Sequence, residues 1–228
     1  LKPKAKWVLA EGSDTSGMTR SIPIEKILDD CLIAWGMNGE ALRPEQGYPA
    51  RLVVPGWEGN MWVKWIRRLE FGDKPYMTRE ETSKYTDLLT DGKARMFTWV
   101  MEAKSVVTSP SPEKPILHKG IQQLRGLAWS GKGKIKRVDV SLDGGKNWRT
   151  AQLHAPIMSK SLVRFTFPFE WSGEELLIQS RAIDETGYVQ PYIQELQKIR
   201  GKNSIYHNNS IATWLVSKSG KVDNVRLG

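Results

Sequence analysis

Cysteine is nearly missing from this 228-residue chain: Cys31 is the only one. That excludes an intramolecular disulfide framework and any zinc or iron–sulfur site built from several thiolates of the chain. Long apolar runs are missing too. No uninterrupted segment approaches the roughly 20 residues needed to span a bilayer, so no membrane association is expected. Histidine is scarce, and His118, His154 and His207 are too scattered to suggest a metal site. No pattern of charged n-region and apolar h-region precedes Trp7, and the first residue is Leu1 rather than Met. The chain is therefore expected to be a processed or partial piece.

What is present describes a globular protein. Hydrophobic residues make up 39% and charged residues 26%, enough to bury a core in one or two domains. The ten Trp are spread from Trp7 to Trp214, which argues against a disordered tail or a fibrous repeat. Lys and Arg number 34 against 25 Asp and Glu, a formal charge of +9. Such a surface attracts acidic partners in general, but no nucleic-acid motif accompanies it, so nucleic acid is not expected as a partner. Arg67-Arg68, Arg125 and the cluster Lys132, Lys134, Lys136 and Arg137 read as solvated faces.

The first third mixes elements. Ser21 is placed to cap a short helix with Pro23 in its first turn and Ile24, Ile27 and Leu28 on one face. Leu32 to Trp35 reads as a buried strand, with Cys31 a small buried thiol at its start, and Asn38-Gly39 as a hairpin turn. Strands are also expected at Arg51 to Val54 and, from apolar–polar alternation, at Val63 to Glu70. Residues 72–95 are polar without a sustained apolar period and read as a long connecting segment. Beyond them come short strands at close spacing: Phe97 to Val107, Gly120 to Trp129, Ile135 to Leu142, Leu162 to Phe169, Leu176 to Ile183 and Ala212 to Ser217. Ser130-Gly131-Lys132-Gly133, Asp143-Gly144-Gly145 and Ser172-Gly173 punctuate them, as in an all-β sandwich.

Several stretches together carry a resemblance. Gly47-Tyr48-Pro49-Ala50-Arg51-Leu52-Val53-Val54-Pro55-Gly56, then Gly59 and Val63-Lys64-Trp65, resemble the pterin-binding segment of the sulfite oxidase family of molybdenum enzymes. Ala128-Trp129-Ser130-Gly131, the run from Arg137 to Gly145, and Trp148 resemble the same family's immunoglobulin-like dimerisation domain. Residues 75–87 and 184–191 look most like its sulfane dehydrogenase branch. The resemblance implies an α+β chain. Residues 1–95 would be the C-terminal part of a mixed α/β molybdopterin-binding domain with its connecting segment, and 96–228 an immunoglobulin-like β-sandwich.

The resemblance also implies a function and a site. The parent enzyme would carry Mo-molybdopterin and oxidise sulfite or a protein-bound sulfane. A c-type cytochrome would accept the electrons, a sulfur-carrier protein is a possible substrate carrier, and the enzyme would be a periplasmic homodimer. Arg51, Val63 and Lys64 match pterin-contacting positions and Asp14 an acidic one. Gln46 and Trp62 stand where other members often have histidine. Gln46 keeps donor and acceptor capacity, whereas Trp62 keeps one donor and loses the titratable ring. Trp35 matches the place of an active-site tyrosine. Its indole cannot release a proton as a phenol does, which leaves an aromatic core residue or a pocket wall. Taken without the resemblance, Arg51 and Lys64 read first as long cations exposed from strands, the usual fate of such residues. The family's metal-ligating cysteine belongs to a segment expected before Leu1, so residues 1–228 alone are not expected to turn over. A non-catalytic dimerisation or binding module is the alternative reading.

Overall fold

A computed structural model describes residues 2–204 and 206–227. The chain divides into two compact units, one of residues 1–100 with 200–207, the other of residues 101–199 with 208–228. Among the described residues no helix is long and apolar enough to cross a membrane.

In the first unit, β1 (Trp7–Gly12) is the centre of a three-stranded antiparallel sheet, flanked by β2 (Thr19–Pro23) and β7 (Ile66–Gly72). Between them lie α1 (Ile24–Asp29), β3 (Leu32–Ala34), β4 (Gly36–Met37), β5 (Glu40–Ala41) and β6 (Arg51–Val53). β3 pairs with β6, and β4 with β5. The β4–β5 hairpin turns on Asn38 and Gly39, both at positive φ, the backbone that an Asn-Gly turn supplies with little strain. Ala10, Ile22, Leu52, Val54, Trp57, Met61 and Val63 form the core. Trp7, Trp57, Phe97 and Trp99 add an aromatic group in which the Trp57 and Trp99 rings stack at 4.8 Å and 5°.

Several expectations need correction here. Ser21 caps no helix: it is buried in β2, and its hydroxyl accepts the Tyr76 N–H at 3.0 Å. Pro23 precedes α1 with no side-chain cap, and no residue of α1 is fully buried. The strand at Leu32 forms but its apolar side chains face out, Leu32 and Ile33 being 61% and 53% exposed. Cys31 is half-buried against the core. β7 begins at Ile66 rather than Val63, because Trp65 takes a positive φ of 48° that breaks the extended run.

Residues 72–95 are docked, not a free connection. They hold a π-helical turn (Glu80–Lys84) and a two-stranded pair, β8 (Asp87–Leu88) with β9 (Ala94–Arg95). Their lack of apolar period is offset by buried charge. The Glu81 carboxylate accepts the N–H groups of Ser21 and Thr78, and Arg20, 1% exposed, donates to the Glu80 carbonyl at 3.0 Å. Arg200 likewise reaches back to the buried Asp87 carboxylate at 3.1 Å and to Thr98. The units divide after Val100, and the Phe97 and Trp99 rings belong to the first unit's aromatic group.

The second unit has two antiparallel sheets. One runs β10 (Lys104–Ser109), β11 (Gly120–Trp129), β15 (Val163–Trp171), β14 (Gln152–His154). The other runs β13 (Arg149–Thr150), β12 (Ile135–Ser141), β16 (Leu176–Asp184), β17 (Thr213–Val216), β18 (Val222–Val225). They share one core: Leu124, Phe165, Phe167 and Phe169 come from the first sheet, and Val138, Val140, Ile178, Ala182 and Val216 from the second. Strict alternation along β15 aims Val163, Phe165, Phe167, Phe169 and Trp171 inward. The eight-residue α2 (Ile193–Arg200) was not anticipated by the strand pattern. The chain is thus β-rich, and in its first third α1 is the one α-helix among the described residues.

Candidate functional site

Two glycines organise the first unit's candidate site. Gly47 ends the short turn Pro44–Gln46 at φ 109°, a conformation that disfavours any side chain. A Cβ there would lie 3.0 Å from the Lys64 Cβ and 3.1 Å from the Arg51 Cβ. A Cβ on Gly12 would lie 2.7 Å from the Lys64 carbonyl oxygen, 3.3 Å from Asp14 Oδ1 and 3.4 Å from Val63 Cγ1. The two glycines therefore let the segment at Val63 and Lys64 settle between the turn after β1 and the turn before β6. Asp14, Gln46, Arg51, Val63 and Lys64 converge there.

The charges in this cradle are uneven. Arg51 is half-buried on β6, and its two Nη atoms donate to the carbonyls of Gln46 at 3.0 Å and Trp62 at 3.3 Å. Its Nε is buried without a partner. Burial pushes the Arg51 guanidinium below its ordinary pKa. Lys64 is exposed and donates to the Glu45 carbonyl at 2.6 Å. Among the described residues neither cation pairs with a carboxylate within 4.0 Å. Asp14 spends its carboxylate on its own turn, accepting from the Ser16 hydroxyl and from the Met18 N–H at 2.9 Å. The Ser16 hydroxyl is the main reason its carboxyl stays below the usual range.

The remaining candidates differ in what they can offer. Gln46 uses its side-chain carbonyl to accept the Arg43 N–H at 3.0 Å, which leaves its amide donors. Val63 has its side chain in the core, so only its backbone can face a ligand. The Trp62 indole donates to the Trp57 carbonyl at 3.0 Å and packs against the core, with the Arg51 guanidinium 5.5 Å from its ring. Its one donor is thus committed within the fold.

Trp35 is 77% exposed, so the core reading of this residue is corrected. It follows Ala34, which pairs with Arg51 across β3 and β6, and it lines a surface hollow of about 450 Å³ together with Leu32, Ile33 and Met37. Gly12 and Trp65 were missed in the sequence. Trp65 donates to the Pro44 carbonyl at 2.9 Å and so ties Lys64 to the turn. Only the Gly-Ser-Asp stretch before Asp14 hinted at a close approach. Among the described residues no group of three or more His, Cys, Asp and Glu could hold a metal ion.

Residues 1–80 match the oxidoreductase molybdopterin binding domain, and residues 95–214 the Mo-co oxidoreductase dimerisation domain. Sulfite oxidase of Gallus gallus is 35% identical over 188 residues, covering 75% of this chain and 40% of that protein. The chain belongs to the sulfite oxidase family of molybdopterin enzymes. Nitrate reductase [NADPH] of Mycosarcoma maydis, 31% identical over 180 residues, covers 67% of this chain and 18% of its own length. The solved sulfane dehydrogenase SoxCD from Paracoccus pantotrophus is 61% identical with a TM-score of 0.98, covering all of this chain and 59% of that one. The chain thus spans less than two thirds of each of these relatives.

The residues present fit the cofactor that the sulfite oxidase family implies. Molybdopterin offers an anionic phosphate and a polar fused ring. Here two cations lack carboxylate partners among the described residues, one guanidinium nitrogen is buried and unsatisfied, and two glycines let the segments that carry them pack together.

Proposed function

We propose that the protein to which this chain belongs is a molybdenum-dependent oxidoreductase acting on reduced sulfur, with sulfite or a protein-bound sulfane as substrate and a c-type cytochrome as electron acceptor. The observation that carries the reading is the 61% identity over the whole chain to a sulfane dehydrogenase. A sulfur-carrier protein as the bearer of the substrate and a periplasmic location fit the same likeness. So does an immunoglobulin-like arrangement of the second unit's two sheets, which would serve homodimer formation.

In this reading Arg51 and Lys64 hold the anionic end of molybdopterin by charge-assisted hydrogen bonds. Gly12 and Gly47 let the Lys64 and Arg51 segments pack closely enough to converge on it, the Val63 backbone faces it, and the free amide of Gln46 adds a neutral donor. Asp14 acts at one remove by fixing the turn against which Lys64 rests. Trp35 contributes an apolar wall. Its indole has no proton to exchange near neutral pH, so any proton released on sulfur oxidation leaves by another route. When bound, the molybdenum cofactor supplies two-electron chemistry, while the protein supplies position, charge and exclusion of water.

The test is cofactor retention in the full-length protein. Molybdenum is measured by mass spectrometry and pterin by fluorescence after dialysis, in wild type and in Lys64→Ala. A lost phosphate contact of about 1.5–3 kcal/mol should leave the variant with markedly less of both. Wild type lacking molybdenum and pterin, or a variant that retains them equally, would overturn the assignment. Reduction of a c-type cytochrome with sulfite, compared with a sulfane-loaded carrier protein, then decides the substrate.

A further inference from the structure

The outer face of the second unit's four-stranded sheet carries a concentration of positive charge that no carboxylate among the described residues neutralises. Leu124 and Gly126 point into the core from β11, and Val163, Phe165 and Phe167 do so from β15. The alternation therefore puts Arg125 outside on β11, and Arg164 and Thr166 outside on β15. Arg125 lies opposite Thr166 and Leu127 opposite Arg164, which makes the two arginines diagonal neighbours. On the other side of β15, His154 lies opposite Arg164.

Like charges this close on a sheet face oppose one another, so the arrangement costs stability unless something anionic sits between them. Among the described residues nothing does. Among the described residues neither Arg125 nor Arg164 has a carboxylate within 4.0 Å, and the one polar side-chain contact of the Arg125 guanidinium is with Gln123 Oε1 at 3.3 Å. The arginines line a surface hollow of about 540 Å³ with Thr108, Gln123, His154 and Thr166 and no acidic residue. His154 Nε2 and Thr166 Oγ1 are hydrogen-bonded at 2.7 Å, which holds the ring in place beside Arg164. The Thr108 hydroxyl is spent on the Arg125 carbonyl at 3.3 Å, so the donors that suit an oxyanion are the two planar guanidinium forks and what the His154–Thr166 pair leaves free.

We propose that this hollow is a binding site for a tetrahedral dianion of the sulfate or phosphate type. Arg125 and Arg164 supply the charge, and Thr108 and Thr166 border the anion. The site lies wholly within the second unit and does not depend on the molybdopterin reading of the first. A phosphoryl or sulfonyl group carried on a larger molecule would present the same chemistry.

Calorimetric titration of the full-length protein with sodium sulfate, at ionic strength held constant with sodium chloride, tests the proposal. Saturable binding is expected, with inorganic phosphate competing. Arg164→Gln should weaken it about tenfold or more, the loss of one charge-assisted fork, and Arg125→Gln with Arg164→Gln should abolish it. The exposed Lys146→Ala, on another loop, should leave it unchanged and so measures the effect of net charge alone. Near-UV circular dichroism checks that each variant folds. If Arg164→Gln does not, Arg125→Gln alone carries the comparison. Absence of saturable heat, or an equal loss in Lys146→Ala, would overturn the site. Unchanged sulfate affinity in a double variant that no longer self-associates would also overturn it and give the face to a second copy of the chain.

Discussion

At Gly47 a single hydrogen in place of a side chain decides whether Arg51 and Lys64 can share a turn. Gly47→Ala adds a Cβ about 3 Å from both and forces φ 109° on a residue that resists it. It should destabilise the first unit by about 1–3 kcal/mol and reduce pterin retention in the full-length protein. Gly39→Ala, with positive φ but open space around it, should cost less and leave retention alone. Urea denaturation of both variants checks this, and equal stability losses would remove the crowding argument. Asp143 sets a second prediction. Its carboxylate is held far below the usual range, first by the Asn147 N–H and then by the Asn147 side chain and the Ser141 hydroxyl. A depressed folded pKa means that this stabilisation is complete above the ordinary carboxylate pKa of about 4 and is lost as pH falls below it. Asp143→Asn should therefore lose less stability than wild type between about pH 4 and pH 2, read as urea midpoints against pH.

Among the elements, β11 and β15 depend on each other through Gly126 and Phe165. A Cβ on Gly126 would lie 2.1 Å from the Phe165 ring, so Gly126→Ala should cost about 1–3 kcal/mol by overpacking, seen as a lowered urea midpoint. The strands here were legible because their residues alternate cleanly, as along β15, where every second side chain enters one core. Gly120 to Trp129 matches its expected bounds. Legibility failed where charge or a single backbone angle took over from the apolar pattern. The apolar run at Leu32 and Ile33 reads as buried although it faces outward, since periodicity reports pattern and not what covers it. Residues 72–95 look like a linker because their buried members are Glu80, Glu81 and Asp87, whose partners Arg20, Ser21 and Arg200 lie far away in sequence. Breaking that last pair is informative. Asp87→Asn removes the carboxylate charge facing the buried Arg200 and should destabilise the first unit by about 3–5 kcal/mol. A loss below about 1 kcal/mol in urea melts would show that the pair is well solvated. The candidate site was legible as a set of residue types, through Arg51, Lys64 and the glycines around them. That Asp14 and Trp62 spend their polar groups inside the fold could be seen only once their partners were placed.

For the molecule as a whole, residues 95–214 match a dimerisation domain, and most soluble homo-oligomers are two-fold dimers. Sedimentation of the full-length protein should show a dimer at micromolar concentration, and a monomer throughout the high-micromolar range would remove it. The order in which the chain is made adds a different constraint. The first unit is not finished at Val100: it closes only when residues 200–207 arrive, bringing Arg200 to Asp87 and His207 to Glu58, 2.5 Å from ring nitrogen to carboxylate oxygen. During translation at about 5–20 residues per second, the ribosome must add about 100 more residues first, which takes roughly 5–20 s. Through that interval Asp87 and Glu58 wait without their basic partners while the second unit's strands emerge. The nascent first unit is thus exposed to chaperones and proteases throughout that interval.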